Sequence, residues 1–397
     1  MISVESAFKR IVTPASPLST ERLPLADCNG RVLAGAIRAR RSQPGCDVSA
    51  MDGYAVSSID LTGGDISFKL IGESAAGQPY KGKIAKGETV RIFTGAAVPH
   101  GTDQVIIQEN TGPSDNGIFT DETSESGKNI RLAGYDFQEK QIVIEAGTYI
   151  TAKSLGIAAS AGHSHLMVYR APTVAILATG DELVSPDAKT FKPYETVNST
   201  VPQLQALIRE IGGKAIDLGQ AGDNLDSLKE KIRAAKDADI LVTIGGASVG
   251  DRDFMQNALS EEGMELDFWK VAMKPGKPLI FGRRHQQHIL GLPGNPASAF
   301  VCAILFLRPL IDKLMGRPAP LPQGIELPVA TDLASNGPRQ NYLRARLIGS
   351  PGERHVDPAV SQDSGQLSVL AQTDGLIVRP PNAGPLSAGA MVPFIPF

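Results

Sequence analysis

The sequence contains little cysteine and no excess of positive charge. Its three cysteines among 397 residues are widely spaced and form no Cys-x-x-Cys pair, so a zinc signature is absent and a reducing cytoplasm is expected. The formal net charge of -3 argues against a general nucleic-acid binder, because such a protein needs a basic field. Any anion-binding site must therefore be local.

Long hydrophobic runs are also missing. Residues 1–10 lack the apolar core of a signal peptide, and the longest apolar run, residues 297–307, is too short to span a bilayer. The run is interrupted by Arg308-Pro309, and we expect it to be a buried helix. The chain is thus expected to be a cytoplasmic globular protein of about two to four domains, with no membrane partner.

Glycine and proline are abundant and divide the chain into segments of different character. Residues 1–38 and 141–171 are expected to be helical and to form one linker domain. Residues 39–140 alternate short β-type runs with glycines, which predicts an inserted small β domain. Residues 172–320 alternate strands and helices, which predicts a three-layer α/β domain with a mostly parallel sheet. Residues 321–397 return to short β runs and predict a C-terminal β domain.

Three lysines lie within eight positions in the predicted α/β domain. They are Lys270, Lys274 and Lys277, and Pro275 and Pro278 stiffen the loop by fixing φ. The ammonium groups are then held close together despite their repulsion, which a multiply charged anion would offset. A tight turn with incidental lysines is the alternative, and it would be favoured if this loop stood alone.

Carboxylates and glycines follow the strands of the same predicted domain. Asp181 and Glu182 come directly after a buried strand, where they could hold Mg²⁺ or form the acidic cap of a helix. The loop 245–250 is glycine-rich after another strand, so its backbone N–H groups could approach phosphate. Asp253 follows that loop, and Asp223 is either a further ligand or a helix N-cap. Every unusual loop of this domain is expected to follow a strand, which places all of them at one sheet edge.

Other polar positions carry weaker signals. Asp52 lies in a Met-Asp-Gly turn and could be a structural turn residue or a carboxylate near a metal or a substrate amine. Thr94 and Asp136 also lie in turn-like segments, for which a plain strand end or turn is the commoner meaning. Four histidines show no third ligand and no catalytic pairing, and we expect them on the surface: His163, His165, His285 and His288.

Six ordered motifs span essentially the whole chain. They are Ser-Ala-Met-Asp-Gly-Tyr-Ala (49–55), Ile-Phe-Thr-Gly-Ala (92–96), Thr-Gly-Asp-Glu-Leu (179–183), Gly-Gly-Ala-Ser-Val-Gly (245–250), Lys-Pro-Gly-Lys-Pro (274–278) and Gly-Leu-Pro-Gly-Asn-Pro (291–296). In this order they resemble the motifs of the MoeA-type molybdopterin molybdenumtransferases, whose animal relative is the E domain of gephyrin.

The resemblance implies a fold and a reaction. It implies an L-shaped homodimer of four-domain subunits, in which the α/β domain is similar to molybdopterin adenylyltransferase. Adenylylated molybdopterin would bind, molybdate would be inserted at its dithiolene, and AMP would leave in a Mg²⁺-dependent step. Contacts with the adenylyltransferase and with recipient molybdoenzymes would follow, without nucleic acid. The alternatives are a molybdopterin adenylyltransferase and a non-catalytic dimeric scaffold.

The resemblance also assigns roles to residues. Catalytic positions would be Asp52, Thr94, Asp136, Glu182 and Asp253, and the Mg²⁺ ligands Glu182, Asp223 and Asp253. Substrate would contact Gly245, Gly246, Ser248, Gly250, Lys270, Lys274, Lys277, Pro293, Pro296, Arg339, Arg344, Ser364 and Ser368. One arginine and one serine of the C-terminal segment would contact molybdate, and the resemblance leaves open Arg339 or Arg344, and Ser364 or Ser368.

Overall fold

The computed structural model describes residues 1–62, 66–246 and 254–397. The chain divides into two compact units. The first comprises Met1–Glu21, Gly30–Val32 and Tyr169–Phe397, and the second comprises Arg22–Asn29 and Leu33–Val168. Within the described ranges, none of the helices combines the length and the apolarity that a membrane crossing requires.

The helices of the described ranges are short. They are α1 Val4–Val12, α2 Ala152–Ser160, α3 Thr200–Ile211, α4 Leu225–Ala234, α5 Phe254–Glu261, α6 Pro296–Cys302, α7 Arg308–Leu314 and α8 Leu367–Leu370. Single 3₁₀ turns occur at Leu25–Asp27, Ser58–Asp60 and Gln108–Asn110.

Strands make up most of the regular structure. Up to residue 169 they are β1 Thr20–Pro24, β2 Ile37–Arg38, β3 Val48–Ser49, β4 Gly53–Val56, β5 Ile66–Ser74, β6 Glu88–Ile92, β7 Gln104–Ile107, β8 Gly112–Ser114, β9 Gly117–Thr120, β10 Ile130–Arg131, β11 Ile142–Ile144 and β12 His165–Tyr169. Beyond it they are β13 Thr173–Thr179, β14 Leu183–Val184, β15 Thr196–Val197, β16 Lys214–Ala221, β17 Ile240–Ile244, β18 Glu265–Lys270, β19 Met273–Lys274, β20 Pro278–Arg284, β21 Gln287–Leu292, β22 Ile325–Pro328, β23 Gln340–Ile348, β24 His355–Pro358, β25 Gly375–Arg379 and β26 Met391–Pro396.

A six-stranded sheet forms the centre of the first unit, in the order β16-β13-β17-β21-β20-β18. The first four strands in this order are parallel, whereas β20 and β18 are antiparallel to their neighbours. The central strands β13 and β17 are almost wholly buried, as expected for strands that are covered on both faces. The predicted α/β domain with a mostly parallel sheet is confirmed.

Alternate residues of the central strands pack against different helices. Ile176 and Val242 belong to one core, which they share with α1, α3, α6 and α7. Leu177 and Leu241 belong to a second core on the other face, with α4 and α5. Because side chains of a strand alternate between faces, this division produces the three layers that the sequence predicted.

The buried helix predicted from residue 297 onward is confirmed, with an irregularity. α6 runs without a break into a π-helical stretch, Ala303–Leu307, and then into α7. Pro309 lies in the first turn of α7 and has no N–H to donate, so the hydrogen-bond pattern changes immediately before it. The helix continues past the proline because its side chains are buried throughout the π stretch.

A second sheet of the first unit forms the C-terminal β domain, which is also confirmed. Its order is β19-β23-β25-β26-β22, and β24 pairs with β23. The short strand β19 comes from the lysine segment and runs parallel to β23, with Met273 opposite Gln340 and Lys274 opposite Asn341. The C-terminal domain therefore holds one end of the lysine loop.

The second unit contains a mixed six-stranded sheet in the order β7-β4-β6-β5-β9-β8. Its two small cores are built from residues such as Val90 and Val105 on one side and Phe68 and Ile106 on the other. A third core packs α2 against short strands. The inserted β character of this segment was predicted; the four predicted domain boundaries stay predictions.

The helical expectation for residues 1–38 and 141–171 is only partly right. Residues 141–171 contain α2 but also the strands β11 and β12. Residues 4–12 form α1, but residues 25–37 contain only one 3₁₀ turn and extended segments. The backbone N–H of Leu33 donates to Thr148 O at 3.0 Å, and that of Ala34 donates to Met167 O at 2.9 Å. Carbonyl oxygens of distant segments therefore accept the hydrogen bonds that a helix would need. In addition, Gly30 has φ of +79°, which interrupts any helix.

We expect Leu177→Ala to lower the free energy of unfolding by about 2–5 kcal/mol, because it leaves a cavity in a fully buried core. Leu266→Ala is the control, since that leucine is 40% exposed and should change stability by less than about 0.5 kcal/mol. Urea denaturation can be followed through the single tryptophan, Trp269, which lies on β18 of the same sheet. Equal midpoints for the two variants would contradict the assignment of Leu177 to the core.

Candidate functional site

A cleft of about 610 Å³ opens at the carboxyl edge of the central sheet. The loops that follow β13, β17 and β21 line it, together with the start of α3. The carboxyl ends of parallel strands lie at one edge, which is why these loops meet although they are far apart in the sequence. The lining residues are Thr179, Gly180, Glu182, Leu183, Thr196, Val197, Asn198, Ser199, Thr200, Asp223, Ile244, Gly245, Gly246, Pro278, Pro293, Gly294, Asn295 and Pro296.

The lysine loop reaches this edge as predicted, because it follows a strand of the central sheet. It connects β18, which ends at Lys270, to β20, which begins at Pro278, and β18 runs in the same direction as β21 because both are antiparallel to β20. The amino end of an antiparallel strand lies at the carboxyl end of its neighbour, so Pro278 lines the cleft beside Pro293. Lys277 therefore stands immediately before a cleft residue.

The backbone conformation of the lysine loop is constrained at Gly276. Gly276 has φ of +97°, and a Cβ added there would lie 2.5 Å from the buried Sγ of Cys302. Only glycine fits this position. Lys274 and Lys277 are exposed, and neither forms an ion pair with any carboxylate of the described ranges. The Nζ of Lys270 instead lies 3.8 Å from the ring centroid of Trp269.

Glu182 is the carboxylate of the Asp-Glu pair that lines the cleft. Gly180 has φ of +133°, and a Cβ added to it would lie 2.6 Å from Glu182 Oε2, so the glycine leaves room for this carboxylate. Asp181 faces its neighbouring loop, where its Oδ1 accepts the backbone N–H of Asp223 at 3.2 Å. The strand β14 follows the pair, so the alternative of a helix cap is wrong.

Asp223 lines the same cleft and does not cap α4. The cap is Asn224, whose Oδ1 accepts the backbone N–H of Ser227 at 2.9 Å. The predicted alternative of an N-cap at Asp223 is therefore wrong, and its exposed carboxylate is available to a ligand.

The glycine loop is described as far as Gly246. Gly245 and Gly246 have φ of +87° and +62°, and a Cβ added to Gly245 would lie 2.8 Å from Thr179 Oγ1. Three predicted site residues, Ser248, Gly250 and Asp253, lie outside the described residues. Within the described ranges no group of three or more His, Cys, Asp and Glu side chains forms a metal cluster.

The C-terminal segment contributes Arg339 and Ser364 to the neighbourhood of the cleft. Arg339 Nη1 donates to the carbonyl oxygen of Met273, at the base of the lysine loop, at 3.4 Å. Ser364 Oγ accepts a hydrogen bond of 2.9 Å from Asn295 Nδ2, and Asn295 lines the cleft. Arg344 is buried, which lowers the pKa of its guanidinium by desolvation, and Ser368 is exposed on α8.

The second unit brings Asp52 and Thr94 together. One oxygen of Asp52 accepts both the backbone N–H of Thr94 at 2.7 Å and its hydroxyl at 2.8 Å. The N–H bond, followed by the hydroxyl bond, lowers the pKa of Asp52, and the nearby charge of Arg91 acts in the same direction. The antiparallel pairing of β4 with β6 creates this contact. Asp136 lies on a separate turn, where it is exposed.

Two polar residues near these sites were not predicted. Asn295 precedes Pro296 at the start of α6, and this Asn-Pro signature of a helix start could have indicated it. Arg91 has no such signal. Its guanidinium lies 5.0 Å from the ring centroid of Tyr54 and 5.1 Å from that of Phe93, and the cross-strand register decides that arrangement.

One histidine prediction is wrong. His288 is buried in β21, where its ring stacks on Phe281 with centroids 6.3 Å apart, and burial lowers its pKa to about 4. His285 is exposed, as predicted, because it lies in the hairpin turn between β20 and β21. The turn is shorter than the polar composition of the segment suggests, so His288 already belongs to the strand.

The whole length of the chain is similar to known proteins. Residues 2–162 match the MoeA N-terminal region (domain I and II), residues 175–313 match a probable molybdopterin binding domain, and residues 326–397 match the MoeA C-terminal region (domain IV).

Curated relatives and solved structures point to the same family. A molybdopterin molybdenumtransferase from Haemophilus influenzae is 35% identical to this chain, and the alignment covers 100% of this chain and 99% of the relative. A molybdopterin molybdenumtransferase from a Nostoc species is 36% identical, and that alignment covers 94% of this chain and 88% of the relative. The crystal structure of a molybdopterin biosynthesis MoeA protein from Pyrococcus horikoshii, 28% identical, matches with a TM-score of 0.87 over 100% of this chain and 99% of that one. The chain belongs to the MoeA-type molybdopterin molybdenumtransferases, enzymes of molybdenum cofactor biosynthesis.

Proposed function

We propose that this protein inserts molybdate into adenylylated molybdopterin and releases AMP in a Mg²⁺-dependent reaction. The observation that carries the proposal is the cleft at the carboxyl edge of the central sheet. It combines two exposed carboxylates, backbone N–H groups of a glycine loop and the base of the lysine loop. Phosphoryl chemistry chiefly needs positioning and charge neutralisation, and this combination of groups offers both.

Lys274 and Lys277 are proposed to bind molybdate. Ammonium groups are compact point charges that suit a small dianion. Both are exposed and have no carboxylate partner in the described ranges, so a bound dianion would offset their repulsion. One arginine and one serine of the C-terminal segment, Arg339 or Arg344 and Ser364 or Ser368, are the proposed further contacts; Ser364 is hydrogen-bonded to Asn295, which lines the cleft.

The nucleotide end of the substrate is proposed to bind at the glycine loop. The φ values of Gly245 and Gly246 turn the chain sharply after β17, which allows close backbone approach to phosphate. Ser199 and Thr200 at the start of α3 also line the cleft, and the positive end of that helix dipole favours an anion. Pro293 and Pro296 would shape the opposite wall.

Glu182 and Asp223 would hold Mg²⁺, because both present hard oxygens to one cleft and Mg²⁺ prefers few carboxylates plus phosphate oxygens. Asp253 is the third proposed ligand. Bound there, the ion would neutralise charge on the pyrophosphate as AMP leaves. Asp52, with its lowered pKa, would remain ionised at neutral pH, and Asp52, Thr94 and Asp136 complete the proposed catalytic set.

The homodimer and contacts with the adenylyltransferase and recipient molybdoenzymes belong to the same proposal.

Purified protein would be supplied with adenylylated molybdopterin, Mg²⁺ and molybdate, and AMP would be quantified. We expect AMP release that depends on molybdate. Consumption of ATP with free molybdopterin would instead identify an adenylyltransferase, and no turnover with either substrate would favour a scaffold. Light scattering after gel filtration would test the dimer.

Lys274→Ala and Lys277→Ala are each expected to raise the molybdate concentration for half-maximal AMP release by about tenfold or more, because a charged contact to the dianion is lost. Steady-state AMP release over a molybdate series measures this effect. Lys236→Ala is the control, since that exposed lysine precedes β17 at the opposite edge of the sheet. Unchanged molybdate dependence in both loop variants would refute the assignment.

Glu182→Gln is expected to reduce AMP release at least about tenfold and to raise the Mg²⁺ concentration that the reaction requires. The glutamine amide is similar in size to the carboxylate, but it is neutral and therefore a poor Mg²⁺ ligand. Glu182→Ala should have the same effect. Chromatographic quantification of AMP across a Mg²⁺ titration measures it, and Asp187→Asn, a nearby exposed position, is the control. Normal turnover of Glu182→Gln would show that this carboxylate is not a ligand.

A further inference from the structure

A second pocket, of about 270 Å³, lies wholly within the second unit and shares no residue with the cleft. Its titratable lining side chains are all basic, because they are two arginines and two histidines, and no carboxylate is among the described residues that line it. They are Arg22, Arg40, His163 and His165. Since the whole chain has a net charge of -3, the pocket is a local concentration of positive charge on a protein that is not basic.

The charges of the two arginines are not neutralised by the protein. Arg22 lies on β1, and its exposed guanidinium has neither a hydrogen-bond partner nor an ion-pair partner in the described ranges. Arg40 is also exposed, and its Nη1 donates to the carbonyl oxygen of Gly162 at 3.4 Å, but no described carboxylate pairs with it. Like charges that share a pocket repel each other, and a bound anion would offset that repulsion.

Hydrogen bonds hold two walls of this pocket together. The backbone N–H of Arg40 donates to Ala161 O at 2.9 Å, and Nε2 of His163 lies 2.8 Å from the carbonyl oxygen of Arg38. A carbonyl oxygen only accepts, so Nε2 carries the proton and the ring has one orientation. Gly162, with φ of +90°, turns the chain after α2 so that His163 reaches this position. The pocket is therefore largely pre-organised, which lowers the entropic cost of binding.

The pocket also offers backbone donors. Gly35 and Ala36 line it, and their N–H groups donate to no acceptor in the described ranges. A Cβ added to Gly35 would meet nothing within 4 Å, so the space beside this peptide is open. On the opposite segment, Nδ1 of His165 lies 3.1 Å from Ser164 Oγ, which leaves the other ring nitrogen for a ligand.

We propose that this pocket binds a phosphate group, either free phosphate or the phosphate of a small monoester. Guanidinium groups recognise phosphate through paired N–H bonds, and backbone N–H groups add further donors. The donors come from separate segments of the chain, which suits a tetrahedral dianion better than a carboxylate with its two oxygens in one plane. Drug-sized ligands occupy pockets of about 300–1,000 Å³, so this smaller pocket suits a small anion. The proposal is independent of the chemistry of the cleft.

Titration calorimetry with inorganic phosphate and with glycerol phosphate tests the site on the full chain. The double variant Lys274→Ala/Lys277→Ala serves as the background, so that the lysine loop contributes no phosphate binding. We expect saturable binding at one site per chain. Arg22→Ala and Arg40→Ala should each raise the Kd about tenfold or more, because each removes a charged hydrogen bond to the anion. Absence of saturable binding would overturn the proposal.

Arg41→Ala is the matched control, since it removes the same charge one residue beyond Arg40 and does not line the pocket. Its Kd should equal that of the background. Equal weakening by Arg41→Ala and Arg40→Ala would mean diffuse surface attraction and would refute a built site. If Arg40→Ala lowers the thermal midpoint, Arg22→Ala decides, because the exposed Arg22 guanidinium has no described partner to lose.

Two further measurements identify the ligand and its position. Tighter binding of glycerol phosphate than of phosphate would identify a monoester site, and equal affinities a site for free phosphate; tighter binding of citrate than of either would contradict the phosphate class. Hydrogen exchange should slow within residues 35–40 and 161–165 when phosphate is added. Binding without slower exchange in these segments would place the anion elsewhere and sink the proposal.

Discussion

The antiparallel pairing of β20 with β21 is the constraint on which the cleft depends. Parallel strands alone would bring the glycine loop and the carboxylate loop to one edge, because their carboxyl ends coincide. The lysine loop connects β18 to β20, and because β20 is antiparallel to both β18 and β21, β18 ends and β20 begins at that same edge. The parallel pairing of Lys274 with Asn341 then fixes the other end of the loop to the C-terminal sheet.

Within the described ranges, the charged side chains of the lysine loop and of the cleft are not paired with one another. Lys274 and Lys277 have no carboxylate partner there, and Glu182 and Asp223 are exposed. The backbone beneath these charges is rigid, because Gly276 packs on Cys302 and Gly180 leaves space for Glu182. Charges that are held apart from their natural partners are suited to a ligand that carries the complementary charges, such as a phosphate ester with a cation and an oxyanion.

Sequence patterns identified elements whose signal is local. The buried strands before the carboxylate and glycine loops, which are β13 and β17, and the buried helix from residue 297 were all predicted. Residues 25–37 were not, because distant segments take up the backbone donors of Leu33 and Ala34. His288 was placed on the surface because polar composition does not show where a hairpin turn ends.

The sequence by itself determined the chemical inventory: a stiff lysine loop, carboxylates after a strand, glycines after another, and motifs that identify the family. Residue types and local spacing encode these features. Only the tertiary structure decided that Glu182, rather than Asp181, lines the cleft, that Asn224 caps α4, and that Arg344 is buried. Each of these outcomes depends on which distant backbone group meets a side chain, and local spacing carries no information about such contacts.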